Sequence, residues 1–445
     1  MPMLTLATNL KQQHPLQCTT VSRNQPCAHS YNPSNYSSTN PVRPSTCPDY
    51  FSWIYYDLRP WKETGVTREM LEGAQKTAHF RLVIQDGRVY VEKYRRSIQT
   101  RDKFTLWGIL QLLRRYPGRL PDLELLFDCD DRPVIPQKLF KSSNSKPPPL
   151  FKYCSDIWSM EIVFPDWSFW GWPELNIKPW RNTSKDIQES NKRIRWTDRV
   201  PSTYWRGDPK VAPWIADFVN KCNATHNTEW NVHHYTNQDS QAEQRHKESN
   251  LIYDQCTHRY NIHIEGLTWS VGEKYILGYD STTLIVKPKY YNFYNRGILP
   301  LFHYWPLRNN DQCKSLKYYL EWAKNHTDQV REIGQSASRY ILEEMKMEYV
   351  YDYMLHLLNE YAKLLQFKPV VPPKAVELCS EALVCEAEGK WRMFMEETLE
   401  SPSDGAPCTL SPYDPLALRS FSKRKAGLMK EVQMKEDKYW TTHEP

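Results

Sequence analysis

Hydrophobic and polar positions follow two alternating periods along this chain, and the pattern switches between them repeatedly. Met70, Leu71, Ala74 and Ala78 fall at helical spacing in VTREMLEGAQKTAHF. The next segment, HFRLVIQDGRVYVEK, sets Asp86-Gly87 between two β-type runs and predicts a hairpin. DKFTLWGILQLLRRYP reads as a strongly apolar helix ending at Pro117, and Leu123 to Phe127 as a buried strand that closes on acids and a proline. Further on, VPSTYWRGDP predicts a strand running into a turn. RYNIHIEGLTWSVGEKYILGYDSTTLIVK predicts strand, loop, helix, strand, and Leu316 to Phe367 predicts two or three amphipathic helices. Hairpin, helices and strands interleaved in this way predict an α/β fold.

Between these elements the pattern breaks. Residues 1–46 are rich in Ser, Asn, Pro, Thr and Gln without apolar periodicity and read as a disordered N-terminal segment. A Ser/Pro linker lies between about 137 and 160, and FPDWSFWGWPELNIKPW is a dense Trp/Pro loop. From about 391 to 445 the chain reads as a loose polar tail. The 445 residues suffice for two domains, each with its own core.

Composition narrows the function. A formal charge of +6 is too weak for a nucleic-acid face, so no nucleic-acid partner is expected. It does suit a protein that meets anionic phosphate at one local site. The 17 Trp and 28 Tyr suit sugars, whose C–H faces pack on flat rings. No run approaches the length of a membrane helix, and the N-terminus lacks the pattern of a signal peptide. Taken alone that predicts a cytosolic protein. The 11 Cys and the sequons at Asn35, Asn182, Asn223 and Asn325 point instead to a secretory compartment. An odd cysteine count leaves at least one thiol without a partner in the chain.

Two clusters carry candidate chemistry. Ser270-Val271-Gly272-Glu273 matches an S-x-x-E capping box and predicts a helix start just past a strand end and Gly266. That is where α/β folds bind anions, with Lys274 adding positive charge; an ordinary capped helix carries the same signature. The second cluster is Asp128, Asp130 and Asp131, at the end of the strand LELLF. One of these could serve as a general base toward an acceptor hydroxyl. Alternatively Asp128 and Asp130 form a D-x-D pair for a divalent cation. A plain turn is the third reading. Arg132 is expected to keep a base ionised, while mutual repulsion is expected to raise the pKa of one of the three acids.

Taken together, TCPDYF at 46–51, TRDKFTLWGILQLLRRYPGRLPDL at 100–123, YWRG at 204–207, IEGLTWSVGEKYIL at 264–277 and HYWP at 303–306 resemble the Rumi-type protein O-glucosyltransferases. These are related to the capsule-associated glycosyltransferases of family 90, and the match is to the family's plant branch, over roughly 47–370. The resemblance implies a GT-B-like enzyme, two Rossmann-like lobes with a cleft between them and C-terminal helices. The acceptor-side lobe would span about 47–180 and the nucleotide-sugar lobe about 181–370, within a catalytic domain of 47–390. It implies an inverting transfer of glucose or xylose from a UDP-sugar to a protein Ser or a glycan hydroxyl, with no metal and no other cofactor.

Residue by residue, the resemblance makes Asp131 the base, with Asp128 and Asp130 as neighbours rather than metal ligands. It places the nucleotide-sugar loop on Leu267, Thr268, Trp269, Ser270, Val271 and Gly272, with Arg206, Gly207 and Asp208 beside it, and the acceptor near Trp172 and Glu174. Rumi proteins carry an Arg at the end of that loop where this chain has Gly272, which leaves Lys274 and Arg206 as candidate cations for the diphosphate. The same departure motivates an alternative, a catalytically impaired carbohydrate-binding member of the fold. The family implies the endoplasmic reticulum or Golgi, with a protein or polysaccharide acceptor. Its plant branch carries an N-terminal membrane anchor absent from this sequence.

Overall fold

A computed structural model describes residues 45–140, 146–225, 230–234, 253–286 and 288–443, with the isolated positions 16, 18 and 27. Two sheets, each with its own apolar core, organise these residues.

The first sheet begins with the predicted hairpin, β1 (Phe80–Gln85) and β2 (Arg88–Lys93). Asp86 and Gly87 both take positive φ, 50° and 71°, as a two-residue turn that matches strand twist requires. β3 (Leu123–Phe127) pairs antiparallel with β1, and β4 (Phe151–Lys152) follows parallel. β5 (Ser155–Asp156) leaves this sheet to pair elsewhere, and β6 (Ile162–Val163) completes the parallel side. The helix Arg101–Arg115 packs beneath, buried on nearly every face. At Gly108 it touches Trp170 so closely that any Cβ would collide with the indole.

The second sheet is wholly parallel. Its strands are β7 (Val200–Gly207), β8 (Trp230–His234), β9 (His258–His263), β10 (Thr282–Val286) and, after the short β11 (Tyr290–Tyr291) that pairs with β5, β12 (Trp305–Leu307). The spatial order β12-β10-β9-β7-β8 is the doubly wound order 2-1-3-4-5 read from its far edge. Trp205, Ile262, Leu284, Trp305, Tyr319 and Ile333 fill its core.

Several expectations are corrected. The first sheet is not the expected Rossmann-like one, because β1, β2, β3 and β13 (Val376–Leu378) meet antiparallel in it. The chain also returns to the first core well before 370. Val350, Tyr351, Met354 and Leu358 of the helix Met347–Ala362 lie in the first core. Residues 391–445 are no loose tail: the helix Pro415–His443 places Leu418 and Phe421 against the first core and Val432, Tyr439 and Trp440 against the second. Its buried positions lie too far apart to read as an amphipathic stripe. The helix predicted from Met70 onward stops at Glu72, with Gly73 as its cap.

Most of the segment 1–46 lies outside the described residues. Cys18 and Cys27 are nonetheless bonded to Cys385 and Cys379, and Cys47–Cys408 and Cys222–Cys313 complete four disulfides. Cys129, Cys154 and Cys256 remain as buried thiols. Among the described residues no helix is long and apolar enough to cross a membrane.

Candidate active site

In a doubly wound sheet the ligand crevice opens where consecutive strands part to opposite sides, outside their carboxyl ends. Here that point lies between β7 and β9. A cleft of about 490 Å³ opens there, lined by Arg206, Gly207 and Asp208 from the end of β7 and by His263, Ile264 and Gly266 from the end of β9. The whole loop Leu267 to Gly272 lines it as well, and across the gap stand Arg101, Asp131, Trp167 and Trp172 from the first lobe. One groove therefore gathers most of the residues singled out in the sequence.

The loop departs from the expected capping box. Ser270 Oγ accepts from Gly272 N at 3.1 Å, a tight local turn, and the helix Glu273–Leu277 is a single short turn and a half. Glu273 does not reach back to Ser270. Its buried carboxylate instead accepts from Asn292 Nδ2 at 3.2 Å and Asn295 Nδ2 at 2.9 Å. Lys274 is corrected too, for it does not line the cleft. It is fully buried and donates to Ser168 Oγ at 2.7 Å and Val271 O at 3.3 Å, with Asp166 Oδ2 at 3.5 Å. Burial pulls its pKa down and Asp166 opposes that shift. Arg206 and Arg101 are thus the Lys or Arg side chains on the cleft wall among the described residues.

The three aspartates have separate fates. Asp128 is buried, with Oδ2 2.7 Å from Lys152 Nζ and Oδ1 2.9 Å from Arg95 Nη2. Burial favours its neutral form, but His79, Lys152 and the Asp130 N–H outweigh this and hold it below the ordinary carboxylate range. The expected raised pKa is therefore reversed at this position. Asp130 Oδ2 pairs with Arg95 Nη1 at 2.8 Å. Neither of these acids lines the cleft. Asp131 does, with its side chain 40% exposed and Oδ1 2.6 Å from Arg101 Nη1. The expected partner, Arg132, is exposed and makes no ion pair among the described residues; Arg101 takes that place.

On the acceptor side Trp172 lines the cleft, donates its indole N–H to Gln99 Oε1 at 2.8 Å and packs edge-on to Trp167. Glu174 lies outside it, accepting from Thr100 Oγ1 at 3.0 Å. Asp208 uses Oδ1 to accept from Lys210 N at 2.8 Å, which shapes the turn after β7.

Sequence reading missed Arg101, Trp167 and His263. Arg101 left a weak signal: it stands first in an apolar helix, where the dipole disfavours a cation. His263 ends β9 fully buried, and burial lowers its pKa.

Comparison with known proteins bears on the family. Protein O-glucosyltransferase 1 of Bos taurus is 23% identical over 347 residues, 74% of this chain and 83% of the relative. O-glucosyltransferase rumi of Drosophila melanogaster is 24% identical over 338 residues, 73% of this chain and 79% of that one. Protein O-glucosyltransferase 1 of Homo sapiens is 23% identical over 74% of this chain and 83% of its own length. Among solved structures, a glycosyltransferase from Rickettsia africae superposes at TM-score 0.30 and 10% identity, over 53% of this chain and 70% of that one, which is too little to carry an argument. The class is that of a glycosyltransferase, an enzyme that moves a sugar onto an acceptor. The family is equally plain: the description Glycosyl transferase family 90 matches residues 42–436, so the chain belongs to that family.

Proposed function

We propose that this enzyme transfers glucose or xylose from a UDP-sugar to a protein Ser or glycan hydroxyl by a single inverting displacement, within a GT-B-type arrangement. The observation that carries the reading is the shared cleft, with Asp131 on one wall and the loop Leu267 to Gly272 on the other. The diphosphate docks at the switch point between β7 and β9, with Arg206 as its cation in place of the family's Arg at Gly272. The acceptor hydroxyl enters along Trp172. Asp131 takes its proton as the oxygen attacks the anomeric carbon, and UDP leaves with the electrons of the broken bond.

No metal is needed in this scheme, because the acids that would bind one are already neutralised by Arg95 and Lys152. Four disulfides support a place in the oxidising lumen of the endoplasmic reticulum or Golgi. There the exposed Asn325 is open to glycosylation. The test is release of UDP from UDP-glucose and UDP-xylose, with a Ser-bearing disulfide-rich domain and a panel of cell-wall glycans as acceptors. Turnover of either donor upholds the proposal. Binding of glycan without turnover of either donor would instead establish the carbohydrate-binding alternative.

A further inference from the structure

We propose that Arg101 is a positioning residue for the base, an inference that rests on Asp131 being that base. Arg101 opens the helix Arg101–Arg115, where free N–H groups already make the local field positive, and only 7% of it is exposed. A buried cation at that place is doubly unfavourable unless an anion meets it. Nη1 makes that contact, 2.6 Å from Asp131 Oδ1, and lies 3.3 Å from Cys129 O. These bonds reference the carboxylate to the backbone of Cys129, just past the end of β3, and leave Oδ2 with no hydrogen bond among the described residues.

The guanidinium is itself held. Its carbon lies 4.4 Å from the centroid of the Trp167 ring. Trp167 in turn packs edge-on to Trp172 at 5.0 Å and to Trp269 at 6.1 Å. One wall residue and one loop residue of the cleft thus grip the ring on which Arg101 rests. The position of the Asp131 carboxylate is thereby tied to both substrate-facing walls, while Asp128 and Asp130 draw on different cations, Lys152 and Arg95. A Lys at 101 would keep the charge but lose both the fork and the flat stacking surface.

The experiment compares R101Q, R101K and D131N in the full chain, by UDP release from whichever of UDP-glucose or UDP-xylose the wild type turns over and by calorimetric binding of UDP. R101Q should lower kcat about 100-fold, the scale of a misplaced reacting group, while UDP binding holds. KM for the acceptor should hold as well, so that the loss falls on kcat. R101K should restore only part of the rate. Wild-type kcat in R101Q, beside an inactive D131N, would overturn the role of Arg101 and spare the base. An active D131N would overturn both. If R101Q binds no UDP, R101K decides: reduced kcat with UDP binding intact upholds the proposal, and wild-type kcat defeats it.

Discussion

The cleft's two walls are built from different material. The wall at β7 and β9 takes its place from the course of the backbone: strand ends diverge at a switch point, and a loop turned by Ser270 and Gly272 fills the gap. The chemistry of the facing wall depends on its side chains, and on which acid is left over once the cations are shared out. Lys152 and Arg95 claim Asp128 and Asp130, and Arg101 holds only one oxygen of Asp131. Connectivity therefore places the first wall, while charge pairing selects the working group of the second. Substitutions on the second wall should accordingly be sharp and specific, and those on the first milder.

Asp131→Asn tests this most severely. Loss of a general base should lower kcat by about 10²–10⁴-fold with UDP affinity unchanged, while Tm falls because the buried Arg101 loses its anion. A steady-state assay paired with calorimetric titration of UDP decides it, and a kcat close to that of the wild type would mean that Asp131 is not the base. Asp128→Ala should do the reverse. Removing one partner of a buried pair leaves Lys152 uncompensated and should cost about 3–5 kcal/mol of stability by chemical denaturation.

The same contrast has a pH signature. The folded pKa of Asp128 lies below its unfolded value, so the stability it contributes is present above the ordinary carboxylate range and fades as pH falls through the lowered folded value. Wild type should lose stability in acid more steeply than Asp128→Asn. Equal slopes would remove Asp128 from the ion cluster.

What the sequence made legible follows the same division. The hairpin at Asp86-Gly87, the strand Leu123–Phe127 and the order of strand and helix from His258 to Val286 could all be read, because local periodicity and turn residues determine them. The cleft loop could be placed for the same reason, since it follows a readable strand. Partnership across the fold could not. Lys274 looked like a phosphate ligand because nothing near it in sequence reveals Asp166, 108 positions away, as its neighbour. The antiparallel first sheet depends on pairings such as β13 with β2, which bring together residues nearly 300 positions apart. The terminal helix was missed because it is held by few, widely spaced contacts to two cores.

At the end of β7, Arg206→Gln should weaken UDP binding by roughly 1.5–3 kcal/mol, the range for a hydrogen bond to a charged group. Lys274→Met should leave UDP affinity alone and lower Tm instead, since it strands Asp166 in the interior. Calorimetric titration of both variants separates a cleft cation from a buried one. A loss of UDP binding in Lys274→Met comparable to that in Arg206→Gln would restore Lys274 as a phosphate contact.

The smallest expected effect is the response to a chelator. His79, Asp128 and Asp130 bring ligand atoms within 4.8 Å of one another, which on its own could suit a divalent ion. Arg95 bonds one oxygen of each acid, and Lys152 holds the second oxygen of Asp128. An entering ion would have to displace two cations from a mostly buried site, at a cost no exposed D-x-D pair faces. EDTA should therefore leave the rate of UDP release unchanged, and added manganese should not raise it. A rate that collapses with EDTA and returns with manganese would show that Arg95 and Lys152 yield to a metal, moving the working chemistry from Asp131 to its neighbours.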